Sequence, residues 1–420
     1  MPEAEQVEGP SEPQLTRFRQ LLSLASLLML ILSWPLWLPG GPVPRVPFLS
    51  PSFVVPSAVS QGITILGGMA LVASLGTWKW RTWLALALCA LLALVLLDQH
   101  RLQPWALQFL VVGLLLSALP PDQALKFSRW SYVALYFHSG LSKLDVSFRD
   151  ELGPVFLSSL AQLFKIPVEQ WPAGGRSAAI GAMPLWEVGT ALLLLFPFTR
   201  RFGVATAAIL HLALIGVLGP WSLDHSTIVL VWNGAMLLEV ACLFWPCLLA
   251  RRGETDSAPC RQSRLRGAMQ IGVKAVFWGS VLLPLGERWG WLDTWPSHGL
   301  YASHAERTEL YLHDSQRSEW PDDLVAHLEP TGLDEWRKLN LTSWSRAVRG
   351  VPVYPQGRAC NGLAESLSER RGGPLLVKVV QWSRAELRTG RRKRVECLGA
   401  KAIRRQGDQY WLNAHPTPQG

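Results

Sequence analysis

Charge is scarce in this 420-residue chain: charged residues make up 17% of it, against roughly 25% in soluble domains. That deficit excludes an ordinary water-soluble enzyme. The six cysteines (89, 242, 247, 260, 360 and 397) include no CxxC pair, so neither a zinc ribbon nor a thioredoxin-type redox centre finds support. Cys360 and Cys397 either pair in an exported domain or stand as separate thiols. The polar C-terminal region holds no nucleophile triad, phosphate-binding glycine loop or metal cluster, and no basic stripe is interleaved with base-stacking aromatics; without that stripe the formal charge of +9 does not point to nucleic acid. Residues 1 to 19 are acidic and Pro-containing before Arg17 and Arg19. They lack the basic start and small-residue exit of a cleavable signal.

What the chain has instead is apolar length. Nine segments long enough to approach a bilayer crossing lie near residues 20 to 38, 59 to 77, 80 to 97, 104 to 119, 128 to 145, 178 to 198, 202 to 219, 226 to 249 and 268 to 290. Residues 296 to 420 are polar and Arg-rich. The expected fold is an all-α polytopic membrane bundle of about 8–9 transmembrane helices with a small C-terminal α+β soluble domain. The expected organisation is a cytoplasmic N-terminal segment at 1–19, a transmembrane domain at 20–292 and an exoplasmic domain at 293–420. In that last region strands are expected at Pro374 to Trp382, Arg394 to Leu398 and Gln409 to Asn413, and helices near Asp322 to Leu328 and Asn361 to Glu369.

Lys and Arg set the orientation. With nine crossings, one side collects thirteen of them, including the pairs Arg17/Arg19, Lys79/Arg81, Lys126/Arg129 and Arg200/Arg201 and the cluster from Arg251 to Arg266; the other side has six. The amino terminus is therefore expected in the cytoplasm, and the C-terminal region on the periplasmic or exoplasmic side.

Ionisable groups inside a bilayer are costly and mark functional cavities. The densest set is Tyr136-Phe-His-Ser-Gly-Leu-Ser-Lys143-Leu-Asp145. At helical spacing His138, Ser142 and Asp145 share one face, and Ser139 and Lys143 form the adjacent i, i+4 pair. Lys is notable here because only nine of the 40 basic residues are Lys, and an amine in a low-dielectric pocket can lose its proton where a guanidinium cannot. Lys143 is either a buried base or a snorkelling cation beside Asp145. Glu187, His211 and Glu239 also sit in apolar surroundings and need partners. Asp98, His100 and Arg101 either cap this pocket or mark where a helix meets water. His298, His304 and His313 have spacings that fit interface histidines better than a metal site.

Around these residues, from about Leu97 to Pro246, the sequence resembles the vitamin K-dependent gamma-carboxylase family and its horizontally transferred transmembrane relatives. The resemblance is carried by Tyr136-Phe137, Gly140 and Lys143-Leu144-Asp145, by Met183 to Phe198 with Glu187, by the His211 segment and by Leu97-Asp98. It implies an exoplasmic-facing membrane enzyme that uses a reduced menaquinone or vitamin K-type quinone. It further implies Lys143 as general base assisted by His138 or Asp145, with Tyr136, Glu187 and His211 shaping the cofactor cavity and no metal. The family's active-site His before this segment has no match, because His100 falls several residues early. The implied partners are a membrane lipid or quinone and an exoplasmic protein or peptide, with no nucleic acid. The alternative is a non-catalytic or redox-accessory quinone- or lipid-binding protein of DoxX-like type.

Overall fold

The computed structural model describes residues 12–52, 54–245, 264–332, 335–370 and 374–418. The start of the acidic N-terminal segment, Cys247 and Cys260, Arg251, Arg252 and Arg261 of the basic cluster, and the end of the 226 to 249 segment lie outside the described residues.

The protein is mostly helical. Its N-terminal two thirds contain α1 (Glu12–Leu32), α2 (Trp34–Trp37), α3 (Ser57–Ala73), α4 (Trp80–Leu97), α5 (Pro104–Ala118), α6 (Pro121–Leu141), α7 (Gly153–Leu163), α8 (Ala173–Leu195), α9 (Arg200–Leu218), α10 (Thr227–Phe244) and α11 (Arg264–Leu282). Among the described residues, six helical stretches are long and apolar enough to cross a membrane: Glu12–Leu32, Trp80–Leu97, Ala173–Leu195, Arg200–Leu218, Thr227–Phe244 and Gly267–Trp289. Ser57–Ala73 and Pro104–Ala118 are apolar but shorter. Proline sets several starts: Pro104, Pro121 and Pro154 occupy the first turns of α5, α6 and α7, where the missing N–H would have had no helical partner. Pro35 likewise sits in the first turn of α2, after the first predicted segment has broken at Ser33.

Helices α6 and α8 meet at a glycine. A Cβ on Gly140 of α6 would lie 2.7 Å from the Pro184 carbonyl oxygen and 2.9 Å from the Val188 nitrogen of α8. Small residues let membrane helices meet backbone to backbone, and this contact brackets Glu187, bringing it opposite the C-terminal end of α6. Gly140→Ala is expected to push the two helices apart and destabilise the fold by about 1–3 kcal/mol, seen as a lower unfolding midpoint in detergent micelles. An unchanged midpoint would show that the contact gives way without strain.

The C-terminal region carries a five-stranded antiparallel sheet in the order β2-β3-β1-β4-β5, built from β1 (Arg307–His313), β2 (Leu328–Pro330), β3 (Trp336–Leu339), β4 (Val377–Trp382) and β5 (Arg394–Leu398). Its helices are α12 (Asp322–Val325), α13 (Leu341–Arg349), α14 (Gly357–Ser368) and α15 (Ala400–Gly407). Alternation aims Leu310, Leu312, Val377 and Val379 at Leu363, Leu367 and Ile403, forming a core separate from that of the helical bundle. Cys360 and Cys397 join this core as free thiols.

The structure corrects two expectations. Gln409 to Asn413 forms turns and bends rather than a strand, because the chain has already left the sheet at Leu398, passed through α15, and here returns to the bundle. Asn413 donates to the Pro47 carbonyl at 2.8 Å and its own carbonyl accepts from Gln99 at 2.7 Å. Asp98, His100 and Arg101 neither cap the Lys143 pocket nor meet water; they are buried beneath the C-terminal region. The His100 Nδ1 accepts from the Tyr354 N–H, and Arg101 donates to the Leu36, Trp37 and Leu94 carbonyls.

A candidate ligand cavity and its buried lysine–glutamate pair

A cavity of about 430 Å³ lies between α6, α8, α9 and α10, roofed by residues 294–305 and 351–355. Most of its wall is apolar, with Leu135, Leu160, Met183, Leu214, Val217 and Trp232 contributing; the polar groups are few and converge. Such a composition suits a ligand with a greasy body and a small polar head.

The first polar group is the Lys143 amine. The i, i+4 row anticipated from spacing brings it back along α6, although the residue itself follows the helix end at Leu141. Nζ donates to the Ser139 carbonyl at 2.9 Å and the Ser139 hydroxyl at 2.8 Å, and meets the Glu187 carboxylate oxygens at 2.9 and 3.0 Å. Lys143 is 4% exposed. Three N–H groups therefore face three acceptor groups, the full capacity of an ammonium. Glu187 keeps lone pairs to spare, so the spare acceptor capacity of the pair sits on the carboxylate.

A second chain runs alongside. The Tyr136 hydroxyl lies 2.6 Å from His211 Nε2, and His211 Nδ1 lies 2.9 Å from the Asn233 side-chain oxygen. Asn233 donates from its amide nitrogen to the Val229 carbonyl at 2.8 Å, which turns its oxygen toward the ring. The assignment that satisfies every group puts the His211 proton on Nδ1 and makes Tyr136 the donor to Nε2. Tyr136, Lys143, Glu187 and His211 thus line one cavity, together with Asn233 and Ser139, which belong to the same two chains.

His138 and Asp145 are placed elsewhere. His138 faces α11, its Nε2 lying 2.8 Å from the Val281 carbonyl oxygen and its ring stacking on His298. Asp145 leaves the helical face because α6 ends before it. Its carboxylate accepts from the Phe148 N–H at 2.7 Å and meets Arg288 at 3.1 Å and His304 at 2.8 Å. Neither residue lines the Lys143 cavity. Glu239 finds neutral donors, the Tyr132 hydroxyl at 2.6 Å and Gln108 at 3.0 Å.

Sequence reasoning missed the group centred on His304. Both ring nitrogens meet carboxylates at 2.8 Å, Asp145 through Nδ1 and Glu287 through Nε2, while Arg384 donates to the other Glu287 oxygen at 2.9 Å. Burial alone would lower the His304 pKa, but the hydrogen bonds from its ring to Asp145 and Glu287 outweigh it and raise it above the ordinary value. The available signal was a His just past the last apolar segment with a Glu at that segment's end; no spacing rule linked them to Asp145. His225, on the cavity wall, is held below the usual imidazole range by burial first and then by the Arg346 guanidinium. Among the described residues no group of three or more His, Cys, Asp or Glu is arranged to hold a metal ion. Comparison with family models, with curated proteins and with solved structures gave no match to this chain.

Proposed function

We propose that this is an integral membrane protein of nine crossings, with a cytoplasmic amino terminus and an exoplasmic C-terminal region, that binds a reduced menaquinone or vitamin K-type quinone in the cavity and removes a proton from it. The observation that carries this reading is the Lys143–Glu187 pair set in the wall of an otherwise apolar cavity. The residues fit such a ligand: the apolar wall suits the ring and isoprenoid body, and the two polar chains suit its oxygens. A bound quinol supplies two electrons and its hydroxyl protons.

The chain's own residues supply the acid–base chemistry. With all three Lys143 N–H groups engaged, the proton acceptor is Glu187, and Lys143 remains as the cation that holds negative charge on the ligand oxygen. Lys143 acts as the base only through Glu187. Tyr136, oriented by His211, offers a second donor. Oxygenation with O₂ and carboxylation of an exoplasmic protein or peptide are the later steps that the resemblance to gamma-carboxylases implies.

The second reading, a quinone- or lipid-binding protein without turnover, is favoured by one feature: the polar groups satisfy one another within the wall. The test is lipid mass spectrometry on the purified protein, followed by oxygen uptake with added menaquinol. Turnover that Glu187→Gln reduces by about 10²-fold or more, with quinone still bound, supports proton removal. Stoichiometric quinone without oxygen uptake supports the second reading, and a preparation that neither contains nor takes up quinone overturns both.

A further inference from the structure

A second cavity, of about 390 Å³, lies on the seam between the bundle and the C-terminal region and shares no lining residue with the first. Its wall combines the segment after α1, from Pro35 to Arg45, with Asp98 just past the end of α4, Asp323 of α12, Arg349 at the end of α13, and Ser366 and Arg370 at and just past the end of α14.

Its charges do not balance. Arg349 is 4% exposed, yet among the described residues its guanidinium donates only to the Ser345 hydroxyl, at 3.1 and 3.4 Å. Arg101, buried nearby, gives its hydrogen bonds among the described residues to carbonyl oxygens alone. Among the described residues, no carboxylate lies within 4.0 Å of Arg45, Arg101, Arg349 or Arg370. Two carboxylates line the same cavity wall as its three guanidinium groups: Asp98, whose Oδ1 accepts from the Val46 and His100 N–H groups, and Asp323, whose Oδ2 accepts from the Trp344 indole N–H. A buried guanidinium with no carboxylate in contact is costly by several kcal/mol, a cost that the Asp98 charge offsets in part for Arg349. Burial pushes Arg349 down to about 10 against the opposing charge of Asp98, and burial together with the Arg349 charge pushes His100 down to about 3.

We propose that this cavity binds a phosphate-type oxyanion, held by Arg349 at its buried end and by Arg45 and Arg370 around it. A phosphate group offers several charged oxygens to planar, forked donors, which is the pairing guanidinium favours. The anion supplies a counter-charge in direct contact with Arg349 and ties α13 and α14 of the C-terminal region to the segment after α1. Because Pro35, Leu36 and Leu38 belong to the same wall, the phosphate can belong to a lipid headgroup or to a free anion, and the chemistry recognised is the same.

The experiment uses the full chain in a maltoside detergent, which contains no phosphate. Unfolding midpoints are measured with inorganic phosphate against chloride at matched ionic strength, and with phosphatidylglycerol against dioleoylglycerol. A rise with inorganic phosphate identifies a free anion, and a rise with phosphatidylglycerol alone identifies the headgroup. In either case Arg349→Met is expected to weaken the effect by about tenfold or more. If that variant does not fold, the double variant Arg45→Gln/Arg370→Gln, altered only at partly exposed positions, serves in its place. The absence of any rise, or a rise that these substitutions leave intact, overturns the proposal.

Discussion

Lys143→Ala will destabilise the folded protein by about 3–5 kcal/mol, because it strands the Glu187 carboxylate in an apolar wall. The ion pair itself is not the source of that figure. Attraction between two buried charges is largely offset by the cost of removing both from water, so the loss measured on deleting one partner is mainly the penalty on the other. Lys143→Met combined with Glu187→Leu will therefore recover most of the lost stability, which unfolding in detergent micelles at constant protein concentration can read directly. The double variant separates structure from function. If the pair exists to act on a ligand, the variant folds well, yet quinol-dependent oxygen uptake stays absent. A double variant as unstable as the single would show that the pair is chiefly a structural support.

The second large effect concerns pH. His304 is clamped between Asp145 and Glu287, with Arg288 sharing the Asp145 oxygen that meets the ring and Arg384 on the other Glu287 oxygen. Both ring nitrogens can donate only when the imidazole is charged. Because the folded pKa lies above the ordinary value of 6.5, the contribution of His304 is complete below about pH 6.5 and disappears as pH rises through the raised value. Asp145 behaves oppositely. Burial would raise its pKa, but its bonds from His304 and the Phe148 N–H, with the His304 and Arg288 charges, lower it; its contribution is present above the ordinary value and lost in acid. Stability measured from pH 5.5 to 9 should fall on the alkaline side, and His304→Gln should flatten that limb while costing about 3 kcal/mol at pH 6. An alkaline limb that persists in the variant would place the titration elsewhere.

The helical plan was readable because apolar length is a direct consequence of bilayer thickness. All nine predicted segments contain a helix within the described residues, six of them long and apolar enough to cross. Boundaries were less readable where a proline ended or began a helix, as at Pro35 and Pro121. The C-terminal strands β4 and β5 showed through their alternation. By contrast β1, β2 and β3 did not, because charged residues such as Glu309, Arg337 and Lys338 interrupt the apolar pattern and pair across the sheet instead.

The Lys143 site was legible up to the limits of a single helix. Helical spacing correctly joined Lys143 to Ser139, but it also placed Asp145 on the face of His138, which required α6 to continue past Leu141. The partner that matters to Lys143 lies 44 positions away, on α8. Nothing in local periodicity could select Glu187 over Asp145, since the choice depends on the Gly140–Pro184 approach between two helices.

The bond between Asn413 and Pro47 spans 366 positions of chain, and this separation affects the order of assembly. A ribosome delivers the bundle helices to the membrane long before residue 413 emerges. Until then Asp98, Gln99, His100 and Arg101 lack their lid, and the ends of α1 and α4 remain wetted. The covering of this face accordingly follows delivery of the bundle helices, and a chain stopped before residue 413 would leave the Gln99 amide without the Asn413 carbonyl it meets in the finished fold.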